Sequence, residues 1–349
     1  MDLRLPPRKR LRGALWLVCL VLAAVSCGKQ SEPSIPPPPP RLRILAVGDI
    51  LLGRKIGMLM EQSQNFTLPF RSMAQELAAA DVTFGNLEGP FCEKPPYPSA
   101  GLVFRVRPRA VAGLVAAGFD VLSVANNHFG DGGRACMQFT LEHLRAHSIL
   151  PAGAGMSFED AHAPAIVERH GVKFAFLAYT YADRNDSSES CGPVIAGRNL
   201  ASVKRDVATA LQKADVVLVS LHDGAEYTRV VARETREFCR AAIEAGATAV
   251  FGHHPHVPQR VENHGNGWIF YSLGNFVFQQ NTPGTRTGLL ARLTFSGPTL
   301  AQVEALPVVI EDHSQPRLAN LQESQEILQA VGLSSTLLWT APDAPPASR

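Results

Sequence analysis

The 349-residue sequence predicts an α/β domain, because short apolar runs alternate with longer segments of helical spacing from Arg41 onward. A hydrophobic content of 46% and a charged content of 18% supply enough apolar surface for a large core. Three late apolar runs follow one another without helices between them, which predicts antiparallel pairing at the end of the domain. The formal net charge of +2 gives no reason to expect nucleic-acid binding.

The short apolar runs and the segments of helical spacing predict the individual strands and helices in chain order. Apolar runs predict strands at residues 42–47, 82–86, 121–125, 173–179, 216–221, 248–251, 268–272, 289–295 and 302–310. Helical spacing predicts helices at residues 68–80, 109–117, 133–147, 199–213, 228–244 and 318–331.

Residues 1–27 are typical of a secretory signal, because a basic N-terminus precedes the apolar run 14–25. The run ends in Ala24-Val25-Ser26-Cys27, which resembles a bacterial lipobox and predicts lipidation of Cys27. An ordinary cleaved signal and an uncleaved membrane anchor are the alternatives, and each of them also exports the domain. The expected location is the bacterial cell envelope, with the protein held at a membrane through the lipid.

A spacer and a tail flank the predicted domain. Residues 28–40 are rich in proline and polar residues, cannot bury apolar surface, and predict a stiff tether. The domain is expected to cover residues 41–312, followed by a C-terminal helix and tail at 313–349. Gly28 stands where an aspartate would retain a lipoprotein in the inner membrane, so an outer-membrane location stays open.

The cysteines beyond the signal segment do not form a close metal-binding pair such as C-x-x-C. In an oxidising envelope their number permits two disulfides, although they can equally be small buried side chains. These cysteines are Cys92, Cys136, Cys191 and Cys239.

Polar side chains suited to a divalent cation follow five of the predicted strands. Because the carboxyl ends of strands in an open α/β sheet converge on one edge, we expect these side chains to lie together. Imidazole, amide and carboxylate groups in that position indicate a metal centre. The residues are Asp49, Glu88, Asn127, His128, His222, Glu226, His254 and His256.

Each of these signals has a structural alternative when it stands alone. Asp49 and Asn127 can be turn residues, Glu88 a solvated loop carboxylate, and His128 a buried core histidine. The pair formed by His222 and Glu226 can be an ordinary hydrogen bond, and the run at 253–256 can be a histidine-rich surface loop. Their coincidence at five strand ends favours the metal centre.

Several motifs together resemble the CapA family of capsule and poly-γ-glutamate synthesis proteins, over about residues 41–310. That family is related to calcineurin-like metallophosphoesterases, so the resemblance implies a four-layer α-β-β-α sandwich with a metal centre at one edge. The motifs are Gly48-Asp49-Ile50-Leu51-Leu52-Gly53-Arg54, Asn86-Leu87-Glu88, Ala125-Asn126-Asn127-His128, His222-x-Gly224-x-Glu226-Tyr227, His254-Pro255-His256-Val257 and Ser272-Leu273-Gly274-Asn275-Phe276.

The resemblance implies a role for each matching residue. Asp49 matches the first carboxylate ligand, Glu88 the bridging carboxylate and Asn127 the amide ligand. His128 matches the histidine that acts on the substrate as a general acid. The later imidazole ligands match His222, His254 and His256.

Two departures from the family patterns change what is expected of the site. Metallophosphoesterases usually have a histidine two residues after the first aspartate, where this chain has Leu51. A centre with unequal sites is therefore predicted: the set Glu88, Asn127, His222 and His254 is the stronger, and the set Asp49, Glu88 and His256 the weaker. Asp223 replaces an aromatic residue, which concerns the substrate-facing surface.

Further residues are candidates for positioning or substrate contact. Asp131 can orient His128 or serve as a turn residue, and Arg54 and Arg105 can bind phosphate or an anionic polymer or be solvated surface. Asn275 can shape the rim of the site or form a tight turn. Glu226 is also a candidate for contact with the substrate.

Three functions fit this site. The first is metal-dependent hydrolysis of a phosphoester or polymer bond, using manganese, iron or zinc, during capsule or exopolymer production. The second is an accessory role in which the scaffold binds an anionic polymer or a capsule synthesis and export complex without turnover. The third is a structural or storage metal site, which the ordered set of motifs disfavours.

Overall fold

The computed structural model describes residues 39–182, 192–312 and 314–341. The predicted signal segment with Cys27, most of the spacer, and Cys191 lie outside the described residues. Within the described ranges, no helix is both long and apolar enough to span a membrane.

The first sheet is mixed, and parallel strands at its centre lead into the site. In the described residues its main order is β16-β15-β14-β1-β2-β3-β4, with β13 beside β1 and β17 beside β15. Strand β1 pairs in parallel with β2 and antiparallel with β14. The strands are β1 (Arg41–Ile50), β2 (Val82–Leu87), β3 (Val121–Ser123), β4 (Leu150–Ala152), β13 (Asn275–Val277), β14 (Thr287–Ser296), β15 (Thr299–Glu311), β16 (Gln315–Leu318) and β17 (Leu337–Thr340).

The second sheet has the order β11-β12-β10-β9-β7-β6, and a small pair is formed by β5 and β8. Its central strand β9 is buried along its whole length, as expected for a parallel strand covered on both faces. The strands are β5 (Ala154–Gly155), β6 (Ala165–Arg169), β7 (Val172–Thr180), β8 (Val194–Ile195), β9 (Val216–His222), β10 (Ala249–His253), β11 (Val261–His264) and β12 (Gly267–Phe270).

The helices form where apolar residues recur at helical spacing, and in α5, α6 and α8 a side chain also caps the first turn. In α6, Val203 and Val207 face the second sheet, and Asn199 caps the helix by accepting hydrogen bonds from two backbone N–H groups. The helices are α1 (Arg54–Ser63), α2 (Ala74–Ala78), α3 (Val111–Ala116), α4 (Gly133–Ala146), α5 (Phe158–His162), α6 (Leu200–Ala210), α7 (Arg233–Glu244) and α8 (Leu321–Ala330).

The two sheets pack face to face through aromatic side chains. Phe84 of the first sheet stacks on Phe176 of the second, with ring centroids 5.3 Å apart, and lies 5.9 Å from the ring of Phe251. Helices α6 and α7 cover the outer face of the second sheet, while α1, α3 and α4 pack against the first. This arrangement confirms the expected α-β-β-α sandwich.

One predicted helix, at residues 68–80, is divided in two. A 3-10 helix covers Leu68–Met73 and α2 follows it. Side chains three apart share one face of a 3-10 helix, and Phe70 and Met73 are buried together in this way.

The prediction of a helix at residues 228–244 was too long, because α7 begins at Arg233. The preceding residues form a loop that is fixed to a neighbouring loop, since the Gln259 side chain donates hydrogen bonds to the carbonyl oxygens of Thr228 and Val230. This loop, between β9 and α7, also carries Glu226, one of the candidate site residues.

The pairing predicted for the late strands is correct only in part. Strands β14 and β15 are antiparallel, whereas β12 is antiparallel to β11 and parallel to β10. The C-terminal segment also does more than expected, because β16 and β17 both pair with β15.

A disulfide joins Cys92, in the loop after β2, to Cys136 on α4. It spans a sequence separation of 44 residues, including the loop that carries His128. Among the described residues Cys239 is free, and its burial raises the pKa of the thiol.

Candidate metal centre

The candidate residues lie at the carboxyl ends of strands in both sheets. Strand β1 ends with Asp49 and Ile50, and Glu88 directly follows β2. In the second sheet, β9 ends at His222 and β10 at His253, and these two residues are paired across the parallel strands. The face-to-face packing of the sheets brings the two sets of strand ends to one edge.

Asp49 is fully buried and accepts hydrogen bonds on both oxygens. Its Oδ1 accepts from Asn86 Nδ2 at 2.9 Å and lies 3.1 Å from His253 Nδ1. Its Oδ2 accepts from the backbone N–H of His254 and lies 3.3 Å from His256 Nδ1. Burial would raise the pKa of Asp49, but the hydrogen bond from His253 and the close contact with His256 outweigh it and hold that pKa well below its usual range.

Glu88 is the contrasting carboxylate, because it is fully buried and neither oxygen has a hydrogen-bond partner among the described residues. Its Oε1 lies 3.7 Å from His256 Nε2 and 3.9 Å from His128 Nε2. Burial raises its pKa well above the ordinary value. A buried carboxylate with open lone pairs is costly unless a cation binds it.

Hydrogen bonds fix the orientation of His256. Its Nδ1 donates to Asn275 Oδ1 at 2.9 Å, since the Asn275 amide nitrogen is itself occupied as a donor to Gln280 and Thr285. The Nε2 of His256 therefore faces Glu88. Burial would lower the pKa of His256, but the charges of Glu88 and Asp49 raise it to about 9. Asn275 is buried behind His256 and holds it in place, so it does not lie on a substrate-facing rim.

His222 and Asn127 meet on the other side of the site. His222 Nε2 lies 2.8 Å from Asn127 Oδ1, and His222 Nδ1 lies 3.2 Å from Asn86 Nδ2. Two donors that share a cation at about 2.1 Å are roughly 3.0–3.4 Å apart, so the 2.8 Å between these two atoms is the length of a hydrogen bond, and they would have to separate by a few tenths of an ångström to share a cation.

His254 lies beside His222, with ring centroids 4.7 Å apart, and its Nδ1 is buried without a partner in the described part of the chain. Burial lowers the pKa of both imidazoles, that of His254 to about 4. Both rings are therefore neutral near pH 7, which is the form that binds metals.

His128 and Asp131 form a dyad next to Glu88. His128 Nδ1 lies 2.8 Å from Asp131 Oδ2, which also accepts a hydrogen bond from the backbone N–H of Phe104. The Phe104 ring stacks on the imidazole with centroids 3.8 Å apart. The geometry thus places the carboxylate where it can orient the histidine, and the turn alternative does not account for this contact.

Arg54 and Arg105 lie near the dyad. The Arg54 guanidinium stands 5.6 Å from the centroid of the Phe104 ring, and Arg105 donates to the backbone oxygen of Asp131. In both arginines the Nε is buried without a partner among the described residues, so each retains donor capacity for an anion.

Asp223 and Glu226 follow β9 but point to different surroundings. Asp223 accepts hydrogen bonds from Thr235 at 2.7 Å and Arg198 at 3.0 Å, so it stabilises the start of α7. Glu226 is exposed and lies over the histidine loop.

Two groups of side chains have ligand atoms that all lie within 4.8 Å of one another in the described residues. One is Asp49, Glu88 and His256, which is the set expected to form the weaker site. The other is Glu226 with His254 and His256. Glu88 and His254, expected to share the stronger site, fall in different groups. Each group contains an atom without a partner among the described residues, an oxygen of Glu88 or Nδ1 of His254, and its carboxylate and imidazole donors suit a divalent transition metal.

The backbone is strained where these ligands lie. His254 has φ 95°, His256 φ 57° and Tyr227 φ 62°, values that side-chain-bearing residues seldom adopt. Strain of about 1–3 kcal/mol per residue persists only when the surrounding structure enforces it, and it is concentrated at functional sites.

Asn86 is a site residue that sequence reasoning did not assign a role. Its amide nitrogen contacts both Asp49 and His222, while its oxygen accepts from Asn126 at 3.2 Å. The available signal was an asparagine inside the fully buried strand β2, because a buried amide requires polar partners.

Residues 43–280, which include the whole cluster, match the model of one family, the bacterial capsule synthesis protein PGA_cap. The chain belongs to this family. The match confirms the resemblance drawn from the strand-end motifs. The role of each site residue in this PGA_cap protein remains a prediction.

Two curated relatives are similar over most of their length. The chain is 29% identical over 302 residues to the PGA biosynthesis protein CapA of Bacillus subtilis (strain 168), covering 85% of this chain and 79% of that protein. It is 27% identical over 317 residues to the capsule biosynthesis protein CapA of Bacillus anthracis, covering 87% and 76%.

A solved structure supports the fold. A hypothetical protein from Thermus thermophilus matches 76% of this chain and 98% of that chain, with a TM-score of 0.50 and 15% sequence identity. At this identity the likeness concerns the fold alone.

Proposed function

We propose that this PGA_cap protein is a metal-dependent hydrolase of the bacterial envelope that acts in capsule or poly-γ-glutamate-type exopolymer production. Its substrate would be a phosphoester or a bond in an anionic polymer. The observation that carries the proposal is the buried Glu88 carboxylate, both of whose oxygens lack partners among the described residues, with Oε1 3.7 Å from His256 Nε2.

The stronger metal position is assigned to Glu88, Asn127, His222 and His254, and the weaker one to Asp49, Glu88 and His256. Nitrogen and oxygen donors of this kind suit manganese, iron or zinc. When bound, such an ion supplies Lewis acidity and lowers the pKa of a water ligand.

The residues beside the metal position have separate tasks. His128 would protonate the leaving oxygen, and the Asp131 carboxylate at 2.8 Å would hold the ring and stabilise its charged form. Arg54 and Arg105 would hold the anionic groups of the substrate through planar charge-assisted hydrogen bonds.

Export and anchoring through Cys27 form part of the proposal. The disulfide between Cys92 and Cys136 supports it, since disulfides persist in oxidising compartments outside the cytosol. Capsule synthesis or export proteins at the same membrane are the proposed partners. A Cys27→Ala protein that still carried acyl chains, measured by mass spectrometry, would refute the anchor assignment.

Turnover tests the catalytic role. The purified full-length protein, loaded with Mn²⁺ or Zn²⁺, is assayed with p-nitrophenyl phosphate as a generic phosphoester and with poly-γ-glutamate. We expect His128→Ala to lose turnover while its metal content stays at the wild-type level. Turnover unchanged in His128→Ala would remove this residue from the mechanism.

A non-catalytic accessory role is the second candidate, favoured by the apolar wall at Leu51. This side chain packs with Phe104 and Phe278 and offers no donor to a second metal. No turnover, together with polymer binding that persists after metal removal, would establish this role in place of hydrolysis.

A further inference from the structure

We propose that Glu226 is itself a metal ligand and closes the coordination shell from the loop between β9 and α7. The proposal deepens the metal centre proposed above and rests on it. It replaces the substrate-contact role expected of Glu226 from the sequence.

The loop that carries Glu226 is fixed to the loop that carries the histidines. The backbone N–H of Tyr227 donates to the carbonyl oxygen of Pro255 at 2.9 Å, directly between His254 and His256. Gln259 donates to the carbonyl oxygen of Thr228 at 2.9 Å. These hydrogen bonds place the Glu226 carboxylate over the two imidazoles instead of leaving it on a free loop.

The donor atoms converge. One ligand atom each from Glu226, His254 and His256 lies within 4.8 Å of the other two. His254 Nδ1 has no other partner in the described residues. His256 uses its Nδ1 proton on Asn275, so its Nε2 is the nitrogen left for a cation.

The apolar side chains beside His256 cannot supply this ligand. Leu51, Phe104 and Phe278 form a buried apolar cluster, and the Phe278 ring lies 4.6 Å from the ring of His256. A carboxylate ligand for a cation held by His254 and His256 therefore comes from the loop, at Glu226, or from the buried Asp49 and Glu88.

His256 belongs both to the group with Asp49 and Glu88 and to the group with Glu226 and His254. A neutral imidazole with Nδ1 protonated has one lone pair, so His256 can bind one cation at a time. Glu226 is exposed, whereas Asp49 and Glu88 are buried. Glu226 is thus the ligand at the mouth of the site, where substrate would enter.

The test compares Co²⁺ binding by the full-length protein and by Glu226→Gln. Glu237→Gln is the matched control, because Glu237 is an exposed glutamate on α7 and the change removes the same charge. We expect at least about ten-fold weaker Co²⁺ binding for Glu226→Gln and a shift of the visible Co²⁺ absorption bands, since even indirect partners of a metal ligand alter affinity 10–100-fold. Glu237→Gln should match the wild type in both measurements.

A second variant separates coordination from a general effect of charge. Glu226→His supplies a neutral ligand, so it should bind Co²⁺ more tightly than Glu226→Gln. If Glu226→Gln bound Co²⁺ more weakly but with unchanged absorption bands, or if Glu237→Gln lost as much Co²⁺ affinity, the ligand role of Glu226 would be overturned. The effect of Glu226 would then be that of its charge alone.

The two proposals fail differently. Wild-type protein that folds but binds no Co²⁺ overturns the metal centre itself. Wild-type protein that binds Co²⁺ only as tightly as Glu226→Gln and with the same bands overturns the role of Glu226 alone. Because Glu226 is exposed, its variants should keep the thermal unfolding temperature of metal-free wild type.

Discussion

Replacement of Glu88 by glutamine should change stability in opposite directions with and without metal. In the metal-free protein the Glu88 carboxylate is fully buried and unpartnered among the described residues, and burial raises its pKa well above the ordinary 4.5. Glutamine keeps the shape and removes the charge. Metal-free Glu88→Gln should therefore be more stable than metal-free wild type, and metal should reverse the order.

The magnitudes follow from general scales. An unpaired buried charge destabilises by more than the about 1–3 kcal/mol of an unpaired neutral amide, and loss of a carboxylate beside the charged His256 offsets part of the gain, so we expect about 1 kcal/mol. Unfolding entropy of about 2.1 cal/mol/K per residue over roughly 300 residues is about 0.6 kcal/mol/K, which makes the gain about 1.5 °C. Free metal at about 100 times its dissociation constant stabilises the wild type by about 2.7 kcal/mol, or about 4 °C.

The upward shift of the Glu88 pKa also determines how the stability difference depends on pH. The pKa of the Glu88 carboxyl is higher in the folded protein than in the unfolded chain. Below the unfolded pKa of about 4.5 the carboxyl is protonated in both states and does not destabilise the fold. As pH rises from about 4.5 toward the folded pKa, the carboxyl destabilises the fold increasingly. The metal-free advantage of Glu88→Gln should therefore shrink in acid.

Calorimetry of both proteins, with chelator and then with Zn²⁺, measures these shifts. A metal-free Glu88→Gln protein clearly less stable than wild type, or one that gains as much stability from Zn²⁺, would refute the reasoning about this carboxylate.

Three further perturbations test other parts of the structure. Cys92→Ser with Cys136→Ser should lower the unfolding free energy by about 2–4 kcal/mol in denaturant titration, because a 44-residue separation loses its cross-link; an unchanged midpoint would contradict this. Asp131→Asn should lower turnover at least about ten-fold with normal metal content, because the carboxylate orients His128, and equal rates would contradict that role. Gly48→Ala should lower the unfolding temperature by several degrees, because the new Cβ would overlap the backbone oxygen of Gly274; thermal melting that matches wild type would show that the strands adjust.

Much of the fold could be predicted because the central strands are continuous apolar runs. The predicted strands 82–86 and 216–221 match β2 and β9 within one residue at each end. Edge strands such as β16 and β17 were not found, because they are short and partly exposed and depend on pairing with the distant β15. Helix α1 was also missed: it begins at Arg54 with a positive φ, a conformation that an arginine does not indicate.

The site could be predicted to the level of which strand ends contribute, since parallel strands of packed sheets must bring these ends together. The orientation of each side chain could not. The contact of Asn275 with His256 and the fixing of the Glu226 loop through Tyr227 arise from tertiary packing. The strained backbone at His254 likewise has no local signature in the sequence.

The central claim is that Glu88 and His254 hold a divalent transition metal. An anomalous difference map from a crystal of the protein grown with Zn²⁺, recorded at the zinc edge, tests it most directly. We predict a peak about 2.0–2.2 Å from a Glu88 carboxylate oxygen and from His254 Nδ1. A well-ordered protein with no peak between these two side chains would contradict it.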